Sequence, residues 1–232
     1  MNSKASRPIP LALTALIAFF SALGALAVTN GDDAHAHGSR PHTEHHHSPA
    51  TVTRSELELR QGMRVLWEDH VTWTRLAVIS LVAGTPDTEA TVGRLLQNQT
   101  DIGNAIKPFY GTAAGDALTA ELRKHILIAA DLIAAAKAGD QTRLAAEQAR
   151  WQRNADDIAT LLSDVNPHWK RETLRSMLEE HLRLTTEEAV ARLQGNWEAD
   201  VAAYDRVHHH ALGMADTLSA GLVKQFPKRF RS

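Results

Sequence analysis

The chain contains no cysteine. Disulfide frameworks, thiolate catalysis and cysteine-ligated zinc, haem or iron–sulfur centres are therefore excluded. Any metal must be held by histidine, carboxylate, amide oxygen or methionine. An excess of one charge is also lacking: 25 basic residues against 27 acidic ones leave a formal net charge of −2. No nucleic-acid surface is expected from so even a balance, and there is no acidic tail. Aromatic residues make up only 5% of the chain. Glycine and proline gather between long periodic runs, and strands do not alternate with helices. What is plentiful is alanine and leucine. With 232 residues, 44% of them hydrophobic, there is enough material for one sizeable core. The expected fold is all-α: an antiparallel up-down helical bundle of five to six helices over residues 54–227.

Residues 1–36 read as a signal peptide or membrane anchor. Lys4 and Arg7 give a basic start, Ile9 to Val28 is apolar, and small-residue patterns follow at Ala25-Leu26-Ala27 and Ala34-His35-Ala36. If retained, the apolar run is long enough to span a bilayer, so membrane contact is expected only through residues 9–28. Either way the domain is exported, to the periplasm, the cell surface or the medium. Residues 37–53 read as a disordered, histidine-rich linker. His35, His37, His42, His45, His46 and His47 crowd this part of the chain without an apolar period. Neutral imidazoles on a pliable segment suit Cu(II), Ni(II) or Zn(II). At the other end, residues 228–232 form a short basic tail, expected to fray.

Between these ends, apolar residues recur at steps of three and four, the spacing of one helical face. Ser55 and Glu58 spell a capping box for the first helix, and Gly84 ends it. Thr85-Pro86 opens a second helix that stops between Pro108 and Gly111. A third runs to Gly139, a fourth from Asp140 to Asn166-Pro167, and a fifth to Gly195. Thr185 and Glu188 spell a second capping box, where the fifth helix could break. The sixth spans Trp197 to Phe226, with Trp197, Val201, Tyr204, His208, Leu212 and Leu222 on its apolar stripe.

Four of these stripes carry a histidine near the middle of the helix: His70, His125, His181 and His208. In an up-down bundle, mid-helix positions share a layer whichever way each helix runs. Asp101 and Asp205 lie at similar height and could serve as ligands or as partners that fix the imidazole tautomers. Asn154 and Gln99 also fall on inward faces. Bundles commonly build metal sites from facing helices, and imidazoles with a carboxylate suit Zn, Cu or Ni better than Mg or Ca. The di-iron signature of two Glu-x-x-His pairs is absent. Within the bundle domain only Asp205-Arg206-Val207-His208 approaches it.

The stretches LWEDHVTWTRLAVIS (66–80), RLLQNQTDIGNAIKPFYG (94–111), HILIAADLIAAAKAGD (125–140) and HLRLTTEEAVARLQGNW (181–197) resemble a bacterial helical family of unsettled function. Its members often carry labels such as glycosyltransferase or acetylglutamate kinase. The resemblance covers about residues 60–226 and implies a compact helical domain, with no catalytic residues carried over. Those two activities need α/β nucleotide-binding domains, and this chain has no Gly-rich phosphate loop. The expected function is an exported bundle that binds a transition metal ion through its mid-helix histidines and a histidine-rich arm. The alternatives are a metal-dependent redox or hydrolytic enzyme, or a metal-free structural or interaction bundle. No catalytic residue is singled out.

Overall fold

The computed structural model describes residues 52–231. The signal or anchor segment, the six tail histidines and all but the end of the linker lie outside the described residues. Five helices fill the described chain: α1 (Arg54–Ala83), α2 (Thr88–Ala138), α3 (Gln141–Val165), α4 (Arg171–Leu193) and α5 (Trp197–Gln225). A short 3-10 turn follows at Pro227–Arg229. The all-α bundle expected from the periodicity is what forms. Among the described residues no helix is long and apolar enough to cross a membrane.

The second helix is really two. At Gly111 the backbone takes φ 84°, ψ 170°, a region open essentially to glycine alone. The chain folds back there, and residues 88–110 run beside residues 112–138. Lys107 Nζ meets Asp116 Oδ1 at 2.6 Å, and Arg123 donates to the Leu96 carbonyl at 3.0 Å. The two arms touch most closely at Gly103 and Gly115. A Cβ on either would lie 2.6–2.7 Å from the other's carbonyl oxygen, so both positions need glycine. Six helical segments result, arranged as three consecutive hairpins, and α5 packs against α1 to close the ring.

The ends of the segments follow from local chemistry. Gly84, Gly139 and Gly195 each take a left-handed conformation after the first arm of a hairpin. Asp140 and Asn196 cap the helices that follow, accepting from Arg143 N at 3.0 Å and Ala199 N at 3.2 Å. Three sequence-based boundaries move. Thr53 caps α1 by accepting from Glu56 N at 3.2 Å, while Glu58 pairs with Arg54 instead of closing a capping box. The turn at Thr85 continues to Asp87 before α2 begins. Thr185 and Glu188 do not break α4, because both are buried in the core and the helix carries on through them.

The bundle ends differ in character. At the Gly111 end, Phe109, Tyr110, Phe226 and Phe230 form an aromatic cluster. The described part of the basic tail is tied down at Phe230, which is buried and whose carbonyl accepts from Thr53 Oγ1 at 2.7 Å. Arg229 lies over the Phe109 ring. The glycine-turn end carries a cluster of buried charges instead. Midway between the two lies a layer of imidazoles.

Candidate metal centre

His70 on α1, His125 on the second arm of α2 and His181 on α4 are all buried, and they converge as the mid-helix argument expected. The His181 ring centroid stands 5.7 Å from that of His70 and 6.2 Å from that of His125. The three rings and Gln99 line one internal cavity of about 10 Å³, close to the size that admits a single water. Its other walls are apolar: Trp67, Leu122, Leu178, Ile102, Ile158 and Met214. A second, wholly apolar cavity of about 30 Å³ shares those walls on the side toward the aromatic end.

Each ring is held differently. Asn154 donates its Nδ2 to the Glu121 carboxylate at 2.7 Å and to the Glu121 carbonyl at 3.2 Å. That fixes the amide, so its Oδ1 accepts from His125 Nδ1 at 2.8 Å and leaves Nε2 with the lone pair. His70 Nδ1 lies 3.1 Å from Gln99 Nε2. That amide nitrogen also reaches the Leu95 carbonyl and Asn98 Oδ1, three acceptors for two hydrogens, while Gln99 Oε1 has no protein partner. His181 Nδ1 is likewise without a partner. Burial drives all three rings toward the neutral form. It lowers His70 and His125 to about 4 and His181 well below the ordinary imidazole value. Neighbouring imidazoles push His70 and His181 further down.

The other expected ligands lie elsewhere. His208 is half-exposed, with Nε2 3.2 Å from Glu68 Oε1 on the surface between α5 and α1. The first half of the sixth stripe is one residue out of phase: Trp197 and Val201 are 58% and 52% exposed, and Ala203, Val207 and Ala211 face the core, whereas Ala215, Leu218 and Leu222 are buried as the periodicity expects. His210, not His208, adjoins the layer. Its ring stacks on His181 at 6.3 Å and its Nε2 donates to the Met177 carbonyl at 2.9 Å. Asp205 is exposed on the far side of α5. Asp101 accepts from Gln97 at 3.0 Å and stands 4.0 Å from Arg94 at the surface. Among the described residues no group of three or more His, Asp or Glu side chains stands ready-made to hold an ion.

Position by position, the layer repeats. The histidines recur at a step of about 55 residues, and so do the left-handed glycines Gly84, Gly139 and Gly195. One turn before each histidine lies Trp67, Leu122 or Leu178, and a turn further back Met63, Leu118 or Leu174. All six line the apolar cavity. From the return arms come Ile102, Ile158 and Met214, then Ile106, Leu162 and Leu218, again at that step and again on the cavity walls. Asn98, Asn154 and His210 are equivalent too. Each donates to the backbone carbonyl four residues before its own hairpin's histidine, at 3.0, 3.2 and 2.9 Å, on Leu66, Glu121 and Met177 respectively. The bundle is thus three similar hairpins around an axis, with one imidazole from each turned to the centre.

A second polar centre escaped the sequence reading. Arg75 donates to Glu188 at 2.9 Å and to both oxygens of Asp200 at 2.9 and 3.2 Å. Arg192 donates to Asp200 at 3.1 Å, and the Arg75 guanidinium rests on the Tyr204 ring. Glu188 and Asp200 are each 1% exposed. Burial pushes Glu188 up to about 7, against the pull of Arg75.

Comparison of the chain with protein families, curated proteins and solved structures finds no match.

Proposed function

We propose that this protein binds one transition-metal ion in the cavity shared by His70, His125 and His181. The observation that carries the reading is that three equivalent hairpins each turn one neutral imidazole into a single cavity of ion or water size. Neutral imidazole is the ligating form, and burial keeps all three rings in it. Asn154, backed by Glu121, fixes the His125 tautomer as an outer hydrogen-bond partner does in metal sites. Two imidazoles on one tetrahedral or trigonal ion at about 2 Å per bond would have ring centroids about 5–5.5 Å apart. The His181 ring stands slightly wider than that from its two neighbours, at 5.7 and 6.2 Å, so binding would draw it inward. A ligand set of imidazoles without thiolate suits Zn(II), Cu(II) or Ni(II). Asp101, Asp205 and His208 have no place in this reading. The tail histidines remain as a capture arm on an exported domain, feeding the buried layer.

The test is elemental analysis and thermal melting of the full chain with its six tail histidines changed to alanine, purified without a metal column. About one ion per chain, a melting temperature that falls on chelation, and loss of both in the His70→Ala/His125→Ala variant are expected. An unchanged melt with Zn(II), Cu(II) and Ni(II) would overturn the reading. The layer would then be a polar core in which a water joins Gln99 Oε1 to the rings, the metal-free bundle among the alternatives.

A further inference from the structure

Of the three equivalent positions on the return arms, two are asparagine and one is histidine. Asn98 and Asn154 are 0% exposed; Asn154 Oδ1 accepts from His125, and on the first hairpin the Asn98–Gln99 amide pair holds His70, with Gln99 Nε2 3.1 Å from His70 Nδ1. His210 keeps the bond to the backbone carbonyl but offers His181 only the face of a ring. His181 Nδ1 is left unpartnered, so the third imidazole of the layer is the one that no hydrogen bond holds in place. His210 is also only half-buried, and the Glu180 carboxylate lies nearby. Its Nε2 carries the hydrogen given to Met177, so the lone pair of the neutral ring is on Nδ1.

We propose that His210 is the port of the metal centre: an ion entering from solvent is taken by His210, passed to the unpinned ring of His181 and delivered to the cavity. This rests on the metal reading above. Ligand, port and mobile ring are distinct roles. His70 and His125 hold the ion from fixed positions, His181 turns to hand it over and then completes the ligand set, and His210 sets the rate without setting the affinity. The symmetry supplies the means of testing this, because His210→Asn installs what the chain already uses at Asn98 and Asn154. The new amide can keep the Met177 bond and accept from His181 Nδ1, which pins the ring and removes the surface ligand together.

The experiment follows uptake of Co(II) by its visible absorption in stopped flow, and release to excess chelator, in the full chain with the tail histidines changed to alanine. His210→Asn is expected to keep one Co(II) per chain and an affinity within about threefold. Uptake and release should both slow by about tenfold or more, tenfold being the factor for each 1.36 kcal/mol of barrier. Rates within twofold of the parent would overturn the port. Loss of stoichiometric binding would also overturn it, by making His210 a ligand. Absence of Co(II) binding by the parent itself would instead strike the metal reading, so the two failures are distinguishable.

Discussion

At mid-height, three imidazoles share a cavity and leave Gln99 Oε1 and His181 Nδ1 without partners. Nearer the glycine turns, Arg75 and Arg192 meet Glu188 and Asp200 with four hydrogen bonds. The difference follows from charge. A buried ion cannot go unmatched, so the arginine–carboxylate cluster carries its own counter-charges and has little left to offer a ligand. A histidine can be buried by staying neutral, at a cost set by its hydrogen bonds alone. The layer therefore tolerates unused polar atoms that the cluster could not. Tyr110, Asn166 and Gln225 form a third, partly buried polar group, but a hydrogen-bonded chain runs through all three, as in the cluster. Of these three groups, the imidazole layer alone combines a cavity with idle lone pairs.

Acid separates the two centres most strongly. His70 and His125 sit at about 4 in the folded chain against 6.5 unfolded. A lowered folded value means stability that is present above pH 6.5 and is lost as pH falls through 4. Each shift corresponds to about 3 kcal/mol, and His181 adds to the same side. Glu188 has the opposite sign. Its value rises from 4.5 to about 7, so its contribution is full below pH 4.5 and disappears as pH rises through 7. The lowered carboxylates Asp87, Glu180 and Asp216 act with the histidines but at lower pH, because an unshifted carboxylate already titrates near 4. Denaturant melts in chelator should therefore lose several kcal/mol between pH 6.5 and 4. Glu188→Gln should steepen that loss, because it removes the opposing group. A flat profile over that range would mean that the imidazoles are not held neutral in the core.

Breaking the charged centre comes next in size. Arg75→Ala would leave Glu188 without its guanidinium and Asp200 with Arg192 alone. Removing one partner from a buried ion pair costs about 3–5 kcal/mol. The loss should appear in urea melts at pH 7 and shrink at pH 5, where Glu188 is protonated in either protein. A loss below about 1 kcal/mol would place the cluster with surface pairs such as Arg64–Asp216, and the contrast with the imidazole layer would fail.

Much of this was legible in the chain. The helices, the glycine stops and the inward histidines His70, His125 and His181 follow from periodicity and turn chemistry, and Gln99 and Asn154 were placed on inward faces. The sixth stripe failed in its first half because Trp197 and Val201 are large, apolar and exposed, and they pulled the phase one residue away from Val207 and Ala211. The signal that would have corrected it is the repeat. The steps from His70 to Gly84, from His125 to Gly139 and from His181 to Gly195 are equal, and the step that joins Asn98 to Asn154 leads on to His210. Arg75 and Asp200 could not be paired in this way. They come from helices far apart in sequence, and the repeat puts Ala130 and Thr186 where the first hairpin has Arg75.

The smallest expected effect has the opposite sign from ordinary core damage. His181 has an unpartnered Nδ1 and a ring that both His70 and His125 would repel if it were charged. Replacing an unsatisfied buried polar group by an apolar one of similar size is nearly neutral or stabilising, so His181→Leu should raise the stability of the metal-free chain by about 1 kcal/mol at pH 7. His125→Leu should not, because it strands the Asn154 carbonyl held by Glu121. Urea melts of the two variants in chelator make the comparison within the layer itself. If His181→Leu proves as costly as His125→Leu, the ring is anchored after all and the layer is a closed core. If it stabilises the chain while abolishing ion uptake, the histidine is kept at the expense of stability, as is common where residues serve a site more than the fold.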